Sequence, residues 1–271
     1  RIKSYINMYG TGQSDYNIMD RFRVEDYRPQ AIARMVDRYR DNILGLKIRM
    51  SEGVAENMEA LDATIALAGE LGVGVCVHVS KPLVPLNEIA DRLRPGDIFC
   101  HVYQNVGIDN IFEADTGKVK QSIWKARERG VILDAANGKM NFNITCCKEA
   151  VAQGLWPDVV ASDWLSDKYN YSPYTKNLMF ILTKYLELGM PLQQALATVT
   201  ATPARLMGME GRIGTLAAGA YADVAIFKRA EKTVRHLDFD GTPFETHQLF
   251  IPQMVLSDGE FAFCQADFAL A

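Results

Sequence analysis

The sequence predicts an α/β protein built on parallel strands, because short apolar runs alternate with helical patterns along most of its length. Four of these runs lead directly into a lysine, a histidine or an aspartate, namely Lys47, His78, His101 and Asp163. Apolar runs of this length between helical patterns are typical of strands that are buried on both faces. Strands that alternate with helices form either an α/β barrel or a doubly wound sheet.

The elements follow one another in a regular order. Strands are predicted at residues 2–8, 43–47, 73–78, 97–101, 131–133 and 158–162. Helices are predicted at residues 29–39, 54–71, 85–93, 122–129, 144–154, 178–188 and 192–199, and a further helix begins at Thr202. These ranges carry apolar residues at helical spacing, and Gly72 is expected to end the second helix.

The chain changes character after Gly208, where short strands and glycine turns replace the helices. Strands are predicted at residues 213–216, 222–227 and 253–256. Short strands bounded by glycine indicate a small β unit appended to the main fold. A complete barrel has eight strands. The strands predicted before Gly208 therefore indicate a barrel that lacks its first two.

The composition favours a protein that acts on small molecules. With 271 residues, of which 48% are apolar, the chain can bury a large core. Its formal net charge of −4 does not favour nucleic acid or an anionic membrane as a partner. No apolar run is long enough to cross a bilayer, and no signal-peptide pattern is visible. The five cysteines are an odd number, which indicates reduced thiols, and we expect a cytoplasmic protein.

The four strand-end residues are predicted to meet at one face of the fold. The carboxyl ends of barrel strands lie on the same side, where catalytic side chains project. Alone, Lys47 would be a solvated strand end and Asp163 could cap the next helix. Two of the four histidines of the chain end strands, and the two in the tail are interpreted as structural or exposed. Two imidazoles, a carboxylate and a lysine at one face predict a hydrolytic metal site.

Six stretches of the sequence resemble the amidohydrolase superfamily, in its dihydroorotase-like and deacetylase-like branch. They are residues 45–49 (GLKIR), 77–79 (VHV), 100–101 (CH), 162–163 (SD), 198–206 (TVTATPARL) and 211–223 (GRIGTLAAGAYAD). The last two are the most specific, because their spacing is close to the family's pattern. The resemblance implies an N-terminally incomplete TIM (β/α)8-type barrel, with its strands three to eight in residues 1–208. It also implies that residues 209–271 form part of a small β-sandwich.

The resemblance further implies a centre of two divalent metal ions, with zinc as the default and manganese, cobalt, nickel or iron as alternatives. In such enzymes the lysine of barrel strand four is often carboxylated and bridges the metals, and Lys47 holds that position. His78 and His101 would bind one metal, and Asp163 would bind the other. Asp163 would also be the catalytic base that passes a proton from the attacking water to the leaving group.

Two of the departures from the family's pattern concern histidines. No histidine precedes Lys47, so the His-x-His of barrel strand one is absent from this sequence. Because two barrel strands are absent as well, we expect this motif to lie upstream. Asn137 stands in the stretch DAANGKMNF at a position where relatives carry a histidine near the substrate. This change leaves the substrate class, and activity itself, open.

The predicted substrate-binding residues are Arg49, Asn137 and Tyr169. Arg49 follows Lys47 by two residues, so both project from the same side of the strand. A guanidinium can bind a substrate carboxylate with two hydrogen bonds, and a solvent-facing arginine is the alternative. Tyr169 lies just after Asp163, where a loop could cover a ligand, and ordinary loop packing is the alternative.

The sequence therefore predicts a deacetylase-like, metal-dependent hydrolase of a small amide or acetyl ester, acting on an acylated amino or hydroxy acid. A dihydroorotase-like cyclic amidase is the first alternative. A catalytically silent barrel that serves as a binding or structural subunit is the second. The expected partner is a small-molecule substrate and neither nucleic acid nor membrane, and a homo-oligomer stays open because barrels of this type commonly pair.

Overall fold

The computed structural model describes residues 2–8, 27–164 and 177–265. The chain divides into two compact units, of which the first comprises residues 1–136 and 140–158 and the second comprises residues 137–139 and 159–271. The predicted boundary at residue 208 follows the change from helices to strands and stays a prediction. No helix in the described ranges is long and apolar enough to cross a bilayer.

The first unit is a parallel sheet whose strands are connected mostly by helices. Its strands lie side by side in sequence order, and they are β1 (Ser4–Asn7), β2 (Ile43–Arg49), β3 (Gly74–His78), β4 (Ile98–Cys100) and β5 (Ile132–Ala136). Its helices are α1 (Pro29–Arg38), α2 (Met58–Leu71), α3 (Leu86–Arg92), α4 (Gln121–Glu128) and α5 (Ile144–Ala152). The central strands carry buried side chains at consecutive positions, such as Val75, Cys76 and Val77, as a sheet that is covered on both faces requires.

The predicted elements of this unit are confirmed, with shifts at their ends. Helix α2 begins at Met58 instead of residue 54, because the preceding segment turns back on β2. The N–H of Ala55 donates to the carbonyl of Arg49 at 3.2 Å, and that of Val54 donates to Ser51 at 3.0 Å. As expected, Gly72 ends α2 in the left-handed region, and its N–H bonds to the last carbonyls of the helix.

Gly45 in β2 lies where the sheet leaves no room for a side chain. A Cβ at this position would stand 2.1 Å from the carbonyl oxygen of Gly74 and 3.0 Å from the Tyr5 ring. The clashing oxygen belongs to the backbone of β3, so it cannot move aside without disturbing the strand. Gly74 itself is different, because the nearest atom to its Cβ would be the Gly96 carbonyl oxygen, at an ordinary 3.7 Å.

We expect Gly45→Ala to lower the free energy of unfolding by about 3 kcal/mol, because it overpacks the sheet interior. Gly74→Ala is the matched control, and we expect it to change stability by less than about 1 kcal/mol, as for other substitutions without a clash. Urea denaturation monitored by circular dichroism measures both. Equal stabilities of the two variants would contradict the close approach of β2 to β3.

Carboxylates at the amino ends of the strands hold the sheet together. The buried Asp97 side chain accepts hydrogen bonds from the N–H of Val75 and the N–H of Arg94, each at 2.8 Å, and pairs with the Arg94 guanidinium. Asp158 accepts from the N–H of Leu133 at 2.9 Å. These acids satisfy backbone donors at the end of the sheet that is opposite to the strand-end histidines, so we assign them a structural role.

In its described residues, the second unit contains the last of the predicted parallel strands, three helices and an antiparallel sheet. The elements are β6 (Val159–Ala161), α6 (Leu178–Glu187), α7 (Leu192–Ala197), α8 (Ala201–Leu206), β7 (Val224–Leu237), β8 (Pro243–Ser257) and β9 (Glu260–Cys264). Strands β7, β8 and β9 pair in that order, all antiparallel. Two of these tail strands are much longer than the sequence predicts.

The predicted strand at residues 213–216 is wrong, because this segment is irregular. Gly214 has a φ of +68°, and a Cβ there would lie 2.5 Å from the carbonyl oxygen of Thr200. A left-handed glycine that touches the start of α8 marks a turn, since such a backbone cannot continue a strand. The apolar residues on either side of it had suggested the strand.

His236 in β7 is a buried structural residue, which agrees with its interpretation from the sequence. Its Nε2 lies 3.1 Å from Thr246 Oγ1 and 3.3 Å from Thr183 Oγ1, and its ring packs on Phe180 with centroids 4.2 Å apart. Burial, aided by the positive charge of Lys184, lowers the pKa of His236 to about 3. His247 is exposed and pairs with Glu187 at 2.9 Å.

We expect His236 to destabilise the fold in acid. Its folded pKa of about 3 lies below the value of 6.5 that is usual for histidine. Between these values the unfolded chain takes up the proton and the folded chain does not, so stability falls as the pH falls through this window. The contribution is at most about 1.4 kcal/mol per pH unit. Urea denaturation of the wild type and of His236→Phe between pH 7 and pH 4 measures it, and we expect the shallower pH dependence in the variant. Identical slopes would contradict the neutral buried imidazole.

Candidate functional site

The candidate residues of the first unit lie where strands end. Lys47 and Arg49 are in β2, His78 is the last residue of β3, and His101 directly follows β4. The register of the sheet aligns Lys47 with Cys76 and Arg49 with His78. Because the strands are parallel, all four candidates stand at the same edge of the sheet.

The two histidines lie against each other. Their rings meet edge to face with centroids 4.4 Å apart, and both side chains are buried. Burial, together with the charges of His101, Lys47 and Arg49, holds the pKa of His78 well below its usual value. A neutral imidazole keeps a nitrogen lone pair, which is the form that binds a metal ion.

His101 is oriented by the backbone of the neighbouring strand. Its Nδ1 lies 3.2 Å from the carbonyl oxygen of Ala136, the last residue of β5. Since a carbonyl can only accept, Nδ1 carries the hydrogen and Nε2 keeps the lone pair of the neutral ring. A hydrogen bond of this kind is a common way to orient a metal-binding imidazole.

Lys47 is half-buried, and its amine lies beside a thiol. Its Nζ donates to Cys76 Sγ at 3.2 Å. Burial works to lower the pKa of Lys47, but its interactions with Cys100, Cys76 and Asp134 outweigh burial and leave the pKa above its usual value. The amine therefore has a polar, enclosed environment next to the histidine pair.

Asp134 in β5 is a further candidate residue, which the sequence-based prediction of the site does not include. Cys100 Sγ donates to Asp134 Oδ2 at 3.0 Å, whereas Oδ1 is buried and has no hydrogen-bond partner among the described residues. Burial raises the pKa of Asp134 to about 6, against the opposing effect of the Cys100 hydrogen bond. A signal existed, because Asp134 follows the apolar residues 131–133 just as Asp163 follows its own run.

Asp163 belongs to the second unit, where it lies against Gly138. A Cβ on Gly138 would stand 1.8 Å from Asp163 Oδ2 and 2.7 Å from Asp163 Cβ. Only a glycine allows this contact. The carboxylate of Asp163 therefore lies directly on the backbone of residue 138.

Asn137 is buried and anchored within the same unit. Its Nδ2 donates to Tyr185 Oη at 3.1 Å, its Oδ1 accepts from Lys184 Nζ at 3.4 Å, and its N–H donates to the carbonyl of Ala161 at 2.9 Å. The predicted substrate contact of Asn137 stays a prediction. The predicted contact of Tyr169 lies outside the described residues.

Backbone strain is concentrated next to these strand ends. Among the described non-glycine residues, those with a positive φ are Lys81 (53°), His101 (72°), Lys139 (39°), Asp163 (50°) and Asp258 (55°). The first four of these residues lie one to three positions after the ends of β3, β4, β5 and β6. Such conformations cost of order 1–3 kcal/mol each and cluster at functional sites.

The donors of the first unit suit a divalent ion, but they do not complete a metal site by themselves. The His78 and His101 rings meet edge to face, and Oδ1 of Asp134 is buried without a hydrogen-bond partner among the described residues. In the described part of the chain, no three side chains of the His, Cys, Asp or Glu types are grouped so that they could hold an ion by themselves. Metal binding in this unit therefore needs a further donor, and a carboxylated Lys47 would supply two oxygens, whereas a plain ammonium supplies none.

A profile of the amidohydrolase family matches residues 147–262. A deacetylase of Agrobacterium fabrum is 26% identical over 96% of this chain and 63% of its own length. A deacetylase of Brucella anthropi is 25% identical over 96% of this chain and 64% of its own length. The chain thus spans less than two thirds of these curated relatives.

Solved structures of enzymes with different activities share the fold. An adenine deaminase superposes with a TM-score of 0.87 at 20% identity, over 97% of this chain and 71% of its own. A dihydroorotase superposes with a TM-score of 0.84 at 23% identity, over 98% of this chain and 69% of its own. These likenesses confirm the predicted fold class, and at this level of identity they carry no argument about activity.

Proposed function

Because this chain is a member of the amidohydrolase superfamily, we propose that it carries the catalytic centre of a metal-dependent hydrolase that removes an acetyl group from a small amide or ester. The observation that carries the proposal is the buried edge-to-face pair of His78 and His101 beside Lys47, at the carboxyl ends of adjacent strands. The deacetylase names of the curated relatives support the choice of an acetyl group.

Lys47, His78 and His101 would hold divalent metal, with Asp163 as a further ligand. Bound there, such an ion would lower the pKa of a water molecule and polarise the scissile carbonyl. Zinc suits the nitrogen and oxygen donors best, and manganese, cobalt, nickel or iron are alternatives. We propose that Lys47 is carboxylated in this centre.

Asp163 would move the proton of the reaction. Its carboxylate takes a proton from the attacking water, whose oxygen forms a bond to the carbonyl carbon of the substrate. When the bond to the leaving nitrogen or oxygen breaks, Asp163 returns the proton to that atom. One aspartate thus acts first as base and then as acid, which typically contributes about 10²–10⁴-fold to the rate.

Arg49 would bind the acid group of an acylated amino or hydroxy acid. It lies opposite His78 in the register of the sheet, and its charge is one of the causes of the low pKa of His78. A guanidinium at the edge of the metal site can hold a carboxylate with two hydrogen bonds. The partner of the protein is accordingly a small anionic molecule.

Acetate release distinguishes the proposal from its alternatives. The full gene product should release acetate from N-acetyl or O-acetyl acids, and Asp163→Asn should lower kcat by about 10³-fold. Asp91→Asn is the matched control, because Asp91 is an exposed carboxylate of α3. This variant should keep full activity. Ring opening of hydantoin or dihydroorotate analogues, without acetate release, would favour the cyclic amidase. Inactivity towards both classes in protein that holds no metal would favour the silent barrel.

We also propose that the protein works in a reducing compartment such as the cytoplasm. Cys76, Cys100, Cys146, Cys147 and Cys264 are all free thiols. Two of them contact the candidate site residues Lys47 and Asp134, where oxidation would add bulk and charge. Free thiols in such positions are typical of proteins in reducing compartments.

A further inference from the structure

We propose that Lys184 and Tyr185 of helix α6 are positioning residues for Asp163 and act through Asn137 and Gly138. The expected effect on kcat rests on the proposed catalytic role of Asp163. The expected effect on the position of the Asp163 side chain does not depend on that role. All five residues belong to the second unit.

The side chain of Asn137 is held at both ends. Its donor group bonds to Tyr185 and its acceptor group bonds to Lys184, at 3.1 Å and 3.4 Å. The amide, the Tyr185 ring and the Lys184 side chain are each no more than 2% exposed. A buried amide held at both ends by groups of opposite hydrogen-bonding type has one orientation and cannot flip without leaving polar groups unpaired.

The backbone of residues 137–138 is held as well. The N–H of Asn137 also bonds to the carbonyl of Ala161, so residue 137 is held both by its side chain and by its main chain. Gly138 comes next, and the Asp163 carboxylate lies on it at a distance that excludes even a methyl group. Any rotation of the 137–138 peptide therefore moves the surface on which Asp163 rests.

Asp163 itself has an unusual backbone conformation. Its φ of +50° is unfavourable for an aspartate, so the surrounding contacts must hold it there. The anchored segment 137–138 is one such contact. Helix α6, which holds Asn137, thereby helps to set the position of the Asp163 carboxylate.

The test combines kinetics with crystallography of the full gene product. Tyr185→Phe and Lys184→Met keep the buried volume but remove one bond to Asn137 each. We expect kcat to fall about tenfold or more while KM changes less than about twofold, because misplacing a catalytic group by a fraction of an ångström slows the chemical step. Lys184→Arg, which keeps a donor, should recover part of kcat. In an Asn137→Ala background, Tyr185→Phe should cause no further loss.

Tyr103→Phe is the control for the loss of a buried tyrosine hydroxyl. Its hydroxyl donates to the carbonyl of Leu155 at 2.7 Å and not to Asn137. We expect a similar loss of thermal stability with kcat retained. An equal fall of kcat in this control, or additive effects of Tyr185→Phe and Asn137→Ala, would overturn the proposal.

Crystal structures of the wild type, Tyr185→Phe and Lys184→Met supply a readout that does not depend on activity. We expect the Asp163 carboxylate to leave its contact with Gly138 in both variants. An Asp163 that keeps this contact in both would overturn the positioning role even in an active hydrolase. A displaced Asp163 in a protein with no hydrolase activity would keep the positioning role and refute the proposed function instead.

Discussion

Lys47→Ala is expected to empty the metal centre and to lower kcat/KM by at least about 10³-fold, since a metal ion supplies several kcal/mol of transition-state stabilisation. The physical reason is the donor count. The described His, Cys, Asp and Glu side chains do not form a ligand group by themselves, so the oxygens of a carboxylated Lys47 would complete the set. Elemental mass spectrometry of the full gene product, purified after growth with zinc or manganese, measures the metal content directly.

Lys125→Ala is the matched control for this prediction. Lys125 is an exposed lysine of α4, so its loss should leave both metal content and activity unchanged. Metal retained at the wild-type level in Lys47→Ala would refute a bridging role of the lysine. A wild-type protein without metal would refute the proposed metal-dependent hydrolase and would favour a role in binding a partner.

Gly138→Ala is expected to lower kcat by about 10²-fold, the usual cost of displacing a catalytic group by about 1 Å. The new methyl would stand 1.8 Å from Asp163 Oδ2 and 2.5 Å from Asp163 Cγ. The carboxylate must therefore move, and Asp163 Cβ is so close that its backbone must follow. Steady-state kinetics with the substrate found in the acetate screen measures the effect.

Two further variants separate this clash from a general loss of stability. Gly69→Ala in helix α2 is the control, because the nearest atom to its Cβ is the mobile end of Arg94 at 3.4 Å. It should be neutral or slightly stabilising in a helix. Asp163→Gly removes the clashing side chain and suits the positive φ, so Gly138→Ala should cost no stability in that background. A full stability loss in the double variant would show that Gly138 is required for another reason.

Much of the fold follows from local sequence signals. The apolar runs and the 3.6-residue periodicity predict each parallel strand and each helix, because burial imposes its pattern on neighbouring residues. The tail is predicted less well. Strand β7 keeps many exposed residues, so its apolar pattern is weak, and the turn at Gly214 depends on its contact with Thr200.

The sequence by itself determines where the strands lie along the chain and which residues end them, among them Lys47, His78 and His101. Because parallel strands bring their carboxyl ends to one edge, it also predicts that these residues stand at the same edge. Only the tertiary structure decides what surrounds them. Burial leaves Asp134 Oδ1 without a hydrogen-bond partner among the described residues, and Asn137 is fixed by helix α6, more than forty residues later in the chain. Contacts between residues so far apart depend on packing geometry, and the order of residues along one chain carries no direct record of that geometry.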